Sequence, residues 1–138
     1  MVEKKAAILL VEDDSFISGM YFTKLSSLGF VVEVVEDGEA AWQRLQQDPL
    51  PDLVLLDVVL PKKDGFEILE GLRKDERTQK LPIILLTNLG QKPDVERGIK
   101  LGADDYIIKA HYTPTEVVDK ITGILDGGAG KAAAGGGA

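Results

Sequence analysis

The chain has no cysteine and a single histidine among its 138 residues. Without cysteine, disulfide frameworks, thiolate zinc sites and cysteine nucleophiles are excluded together. A lone histidine cannot build a zinc site by itself, so His111 is read as a loop residue. Cationic residues are also in deficit: 16 Lys and Arg stand against 23 Asp and Glu, a formal net charge of −7. Such a surface repels phosphate backbones and anionic lipid, so no direct nucleic acid and no membrane binding are expected. Long hydrophobic runs are missing too. The first apolar stretch, Ala6 to Val11, is too short for a signal sequence or a membrane span, and a cytoplasmic protein is expected.

What is present fits one folded domain. Hydrophobic residues make up 44% and charged residues 28%, which separates the chain from disordered sequences. Five short, β-branched apolar runs stand out: Ala6–Val11, Val31–Val35, Leu53–Leu56, Ile83–Leu86 and Tyr106–Ile108. Continuous apolar runs of this length suit parallel strands covered on both faces.

Helical patterns fill the intervals. Ile17, Met20, Tyr21, Leu25 and Leu28 recur every three or four residues, and Gly29 is placed to end that helix. Asp37-Gly38 opens a second helix, and Asp64 with Glu67 makes an N-terminal cap for a third. Pro93 suits the first turn of a fourth helix, with Gly102 closing it, while Thr113-Pro-Thr-Glu116 opens a fifth. The alternation is (βα)5. It predicts an α/β, doubly wound, five-stranded parallel sheet of flavodoxin-like order 2-1-3-4-5, with helices on both faces. After Asp126 the composition turns to glycine and alanine. Residues 1–126 are therefore read as the domain and 127–138 as a flexible tail.

The chemistry lies where strands end. The first strand runs into Glu12-Asp13-Asp14, the third into Asp57, the fourth into Thr87 and the fifth into Lys109. Parallel strands bring these ends to one edge of the sheet, where such folds bind ligands. Two carboxylates about 4 Å apart repel by ~4 kcal/mol at an effective dielectric near 20, so the cluster demands cations. Lys109 supplies one charge, and oxygen-only donors suit Mg²⁺. A carboxylate beside such a metal can attack phosphorus and form an acyl phosphate, with Lys109 and the Thr87 hydroxyl binding the phosphoryl oxygens.

The ordered set Glu12-Asp13-Asp14, Asp57, Pro61-Lys-Lys-Asp64-Gly65, Thr87, Gly102-Ala103-Asp104-Asp105-Tyr106 and Lys109 resembles the receiver domains of two-component response regulators, from Lys5 to about Asp126. The resemblance implies that Asp57 is the phosphoacceptor, with a histidine kinase or phosphotransfer protein as donor. It implies a metal site of Asp13, Asp14, Asp57 and the Val59 backbone carbonyl, with Asp14 and Asp57 the more direct ligands. Thr87 would swing toward the phosphoryl group and Tyr106 would turn inward, making these two the switch residues. A downstream protein target would meet the face of the fourth helix, fifth strand and fifth helix, on a monomer or a phosphorylation-dependent dimer.

Three positions depart from the family pattern. Ala110 follows Lys109 where a proline in a cis peptide is usual. A non-proline cis bond costs about 3 kcal/mol, so either that strain is retained or the loop takes another path. Asn88 follows Thr87 where a small residue is usual, narrowing access. Val59 and Leu89 flank the site with apolar groups, which should hinder an attacking water. The rival readings are an aspartate-dependent phosphatase, a flavodoxin-like cofactor binder and a degenerate receiver acting as a scaffold. The first usually needs a second acid two residues after the nucleophile, where this chain has Val59, so no turnover enzyme is expected. The second needs a phosphate loop rich in Ser, Thr or Gly where this chain has acids.

Overall fold

The apolar runs pair into one sheet whose central runs are buried on both faces, while the edge run Val31–Val35 stays partly exposed. In the computed structural model of the protein, which describes residues 6–136, they are β1 (Ala7–Val11), β2 (Val31–Val35), β3 (Leu53–Leu56), β4 (Ile83–Thr87) and β5 (Asp105–Ile108). Every pairing is parallel and the order is β2-β1-β3-β4-β5, as the sequence predicts. The connecting helices are α1 (Ser15–Ser27), α2 (Gly38–Leu45), α3 (Gly65–Lys74), α4 (Lys92–Lys100) and α5 (Pro114–Gly136), with a short 3-10 turn at Lys109–His111.

The period-two geometry of a strand sorts each run between two cores. Leu9, Val11, Val54 and Leu56 point into the layer that holds Ala41, Leu45, Phe66 and Leu69 from α2 and α3. Their neighbours Ile8, Leu10, Leu53 and Leu55 point the other way, onto Tyr21, Leu25, Val117 and Ile121 of α1 and α5. With both faces occupied, only the ends of the strands are left to present polar groups.

Local chemistry sets the helix ends. Asp37 caps α2 through Ala40 N–H, and Asp64 and Glu67 form a reciprocal capping box on α3. Thr113 and Glu116 do the same for α5, at 3.1 and 2.8 Å. Gly29 ends the α1 segment with φ at 96° and Gly102 ends α4 with φ at 107°, conformations that glycine adopts without a Cβ clash.

The backbone of α5 runs past Asp126 to Gly136. Once a helix is nucleated, each added residue gains a hydrogen bond at little cost, and Ala132–Ala134 are strong helix formers. Residues 1–5 of the expected domain and 137–138 of the expected tail lie outside the described residues. Among the described residues no helix is long and apolar enough to cross a membrane.

Leu55 is fully buried at the centre of β3, two residues before the acidic position Asp57. Truncation there should cost about 2–5 kcal/mol. Leu55→Ala is therefore expected to lower the urea midpoint by that equivalent with an unchanged m-value. A loss below 1 kcal/mol would contradict the packing described.

Candidate functional site

Backbone hydrogen bonds carry the sheet pairing one step beyond the strands. Glu12 N–H donates to the Val35 carbonyl at 3.0 Å, and Asp57 N–H donates to the Val11 carbonyl at 3.1 Å. Glu12 and Asp57 are thus fixed at adjacent strand ends. Thr87 and Ile108 are paired at the last rung of β4 and β5, and Lys109 follows at once. These ends surround a cavity of about 320 Å³, whose lining also includes Asp13, Asp14, Val59 and Asn88.

At its floor the Lys109 ammonium donates to Glu12 Oε1 at 2.5 Å and to Asp57 Oδ2 at 2.9 Å. Asp57 Oδ1 accepts from Val59 N–H at 3.2 Å. Glu12 and Asp57 are only 2% and 6% exposed, while Asp13 lies at the exposed rim. Burial raises the Glu12 carboxyl above its ordinary value against the opposing pull of Lys109. Burial works the other way on Lys109, but its hydrogen bonds and charge pairs with Glu12 and Asp57 outweigh it and hold the ammonium above its usual range.

One carboxylate oxygen each from Glu12, Asp13 and Asp57 lies within 4.8 Å of the others. Three carboxylates against one ammonium leave two negative charges, the number a divalent cation neutralises. The donors are oxygen only, which suits a hard ion. The residues fit a metal of that class.

Asp14, expected as a direct ligand, is not brought into this group. Its Oδ1 accepts from Phe16 and Ile17 N–H at 2.9 and 3.1 Å, so it is the N-cap of α1. Glu12 stands in that group instead. The signal was present in the sequence: aspartate is a favoured N-cap, and a residue just before a helix is committed to the first turn's free N–H groups. That leaves Glu12 and Asp13 as the pair nearest the strand end.

Lys109 resolves the alternatives left open at Ala110. Among the described residues the one cis peptide precedes Pro49, so the Lys109–Ala110 bond is trans. The chain instead takes another path, a 3-10 turn, and Lys109 still reaches both acids.

Thr87 is fully buried, and its Oγ1 accepts from Leu89 N–H at 3.2 Å. The Leu89 carbonyl in turn accepts from the Tyr106 hydroxyl at 2.5 Å. Tyr106 is already turned inward, at 8% exposed. Val59 stands 61% exposed beside the cavity, and Asn88 is exposed at its rim.

The profile of the response regulator receiver domain matches residues 8–122. The DNA-binding dual master transcriptional regulator RpaA of Synechocystis is 39% identical over 118 residues, covering 86% of this chain and 48% of RpaA. A putative response regulator from Chloroflexus aurantiacus superposes with a TM-score of 0.82 at 33% identity, covering 89% of this chain and 99% of that one. The Mn²⁺-bound form of response regulator Rcp1 gives a TM-score of 0.78 at 30% identity, covering 86% and 93%. The chain spans about half the length of the curated relatives it matches.

These relatives correct one expectation. Direct nucleic-acid contact was excluded from the acidic charge, yet relatives of this chain are transcriptional regulators and RpaA is DNA-binding by name. Net charge describes the surface of this stretch alone, and these relatives carry about as much chain again outside the matched part.

Burial, helped by the nearby charges of Asp94 and Asp57, pushes the Tyr106 phenol from 10.0 up to about 12. A group whose folded pKa is raised stabilises the fold fully below the unfolded value and loses that effect as pH rises through the folded one. Tyr106 should thus add to stability up to about pH 10 and cease to do so by about pH 12. In Tyr106→Phe the late phenolate absorbance step is expected to shrink by one phenol, since burial raises Tyr21 as well, and the fall in stability across that interval to flatten. An identical titration in the variant would refute the assignment.

Proposed function

This chain belongs to the response regulator receiver domain family, and on that premise we propose that Asp57 accepts a phosphoryl group from the phosphohistidine of a histidine kinase or phosphotransfer protein. The observation that carries this is a buried Asp57 carboxylate held 2.9 Å from the Lys109 ammonium, beside two further carboxylates, at the floor of an open cavity. An Asp57 oxygen attacks phosphorus. The new O–P bond forms as the donor's N–P bond breaks, and the imidazole leaves with the electron pair and takes up a proton. Lys109 stays charged throughout and meets the phosphoryl oxygens. The Thr87 hydroxyl accepts from Leu89 through its lone pair, so its own proton is available to one of those oxygens.

Glu12, Asp13, Asp57 and the Val59 carbonyl would hold Mg²⁺. When bound, the ion neutralises charge on the carboxylates and on the transferring group. The Mn²⁺-bound relative supports a divalent ion in this family.

For the output, Thr87 and Tyr106 are joined through one residue, Leu89. A shift of Thr87 toward a phosphoryl group reaches Tyr106 through that residue's main chain. Gly98 lets α4 rest against the Tyr106 ring, where a Cβ would come within 2.7 Å of it. Movement of the ring therefore repositions α4, and the α4–β5–α5 face is the surface that a downstream unit reads. The transcriptional regulators among the relatives support an output in transcription, and with it a cytoplasmic reaction. The working unit is 1–126, since Ile124 and Leu125 are the last described side chains packed on the core.

The chain is a switch and not a turnover enzyme, because the position two residues after Asp57 is Val59, with no acid to activate a water. A small acyl phosphate with Mg²⁺ should add one phosphoryl group per chain by mass spectrometry, and Asp57→Asn should abolish it. Labelling that persists in that variant overturns the site, and steady release of phosphate from a phosphate ester favours a phosphatase.

Val59 also governs the reverse step. Its exposed isopropyl group screens the phosphoryl side of Asp57 from water. Val59→Asn should speed dephosphorylation on the order of tenfold, equivalent to ~1.4 kcal/mol of barrier. An unchanged rate removes Val59 from the account.

A further inference from the structure

The loop between β3 and α3 carries both Asp57 and Val59, and glycines hold it on two sides. Gly65 begins α3, and a Cβ there would lie 2.3 Å from the Asp57 carbonyl oxygen. Gly38 begins α2, an element that contributes nothing to the cavity lining. A Cβ on Gly38 would meet the Lys63 carbonyl oxygen at 1.6 Å, its carbon at 2.5 Å and its Cβ at 2.8 Å. The positive-φ glycines are Gly29 and Gly102, so the Gly38 backbone is one that any residue adopts. The contact alone excludes a side chain.

Other bonds converge on the same place. Gly38 N–H donates to the Pro61 carbonyl at 3.0 Å. The Lys62 ammonium stands 3.8 Å from Asp37, and Lys63 lies over the Trp42 ring, 5.2 Å from its centroid. Lys62 itself is held at φ 73°, a left-handed conformation that a lysine keeps only when its surroundings enforce it. One helical turn of α2 therefore grips three consecutive loop residues, Pro61 to Lys63.

We propose that the N-terminal turn of α2, with Gly38 as its contact point, is a positioning element for the divalent-cation site. It sets the height of the β3–α3 loop against the sheet edge, and with it the aim of the Val59 main chain and of Asp57, whose Oδ1 is tied to Val59 N–H at 3.2 Å. This inference rests on the reading of the Glu12, Asp13 and Asp57 cluster as a Mg²⁺ site. Gly38 touches neither metal nor phosphoryl group and acts through the loop.

The test is Mg²⁺ titration of the full chain by calorimetry, with fluorescence of Trp42, the single tryptophan, as a second readout. Gly38→Ala should weaken Mg²⁺ about tenfold, while labelling by a small acyl phosphate at saturating Mg²⁺ stays within about twofold of the parent. An added Lys63→Gly should restore part of the affinity by removing one of the three clashing atoms and freeing the loop backbone. Unchanged affinity in Gly38→Ala overturns the inference and leaves the phosphoacceptor reading standing. Equal losses at low and saturating Mg²⁺ would mark a merely structural role and also overturn it. A parent chain that takes up no Mg²⁺ overturns both. Should Gly38→Ala not fold, Lys63→Gly alone addresses the contact from the loop side. It should then bind Mg²⁺ several-fold more weakly with a normal melting transition, and parent-like binding overturns the inference.

Discussion

Everything at the functional edge follows from carboxylates held closer together than they would stand in water. Glu12, Asp13 and Asp57 place oxygen atoms within 4.8 Å of one another. At an effective dielectric near 20 each such pair repels by about 3–4 kcal/mol. Two of the three are buried, so solvent screens them poorly. The fold tolerates this because sheet hydrogen bonds fix both strand ends and a lysine from a third strand reaches between them. The lysine answers only part of the charge. What is left is an excess of two negative charges, the amount one dication would neutralise.

The same edge is linked sideways by side-chain hydrogen bonds. Strand interiors are packed on both faces, whereas Thr87, Leu89 and Tyr106 are linked by two hydrogen bonds through a single loop residue. A chain of two bonds transmits displacement only if its far end rests on something that must yield. Gly98 supplies that: its missing side chain brings α4 onto the Tyr106 ring, so the ring cannot shift without the helix. If Asp57 is phosphorylated as proposed, the short route from Thr87 through Leu89 to Tyr106 would link that event to the position of α4.

The sequence made the architecture legible because both-face burial and helix capping are local signals. All five strands lie where the apolar runs predict, within a residue or two, and the caps at Asp37, Asp64 and Thr113 follow from residue chemistry. The position of Asp57, Thr87 and Lys109 at the sheet edge was legible because each follows directly from an apolar run, whereas the arrangement after β1 was not. Three acids in a row do not say which faces inward, and the helix that follows claims Asp14 as its cap. The path after Lys109 was equally beyond pattern reading, since Ala110 removes the proline without indicating what replaces its turn. Charge misled most. An acidic stretch says what its own surface repels and nothing of what a longer relative carries beside it.

A lysine at position 109 suits the phosphoryl-accepting role proposed for Asp57. An ammonium has three N–H donors. Two of them are committed, to Glu12 and to Asp57, and under the proposed phosphorylation of Asp57 the third would meet a phosphoryl oxygen. An arginine would bring a planar fork whose donors are fixed relative to one another, suited to two carboxylate oxygens in one geometry. Under that proposal the lysine would keep Glu12 and rotate about its flexible stem to exchange an Asp57 oxygen for a phosphoryl oxygen, its charge staying beside the buried acids. A site that must hold negative charge continuously while changing which atoms carry it is served better by a point charge than by a fork.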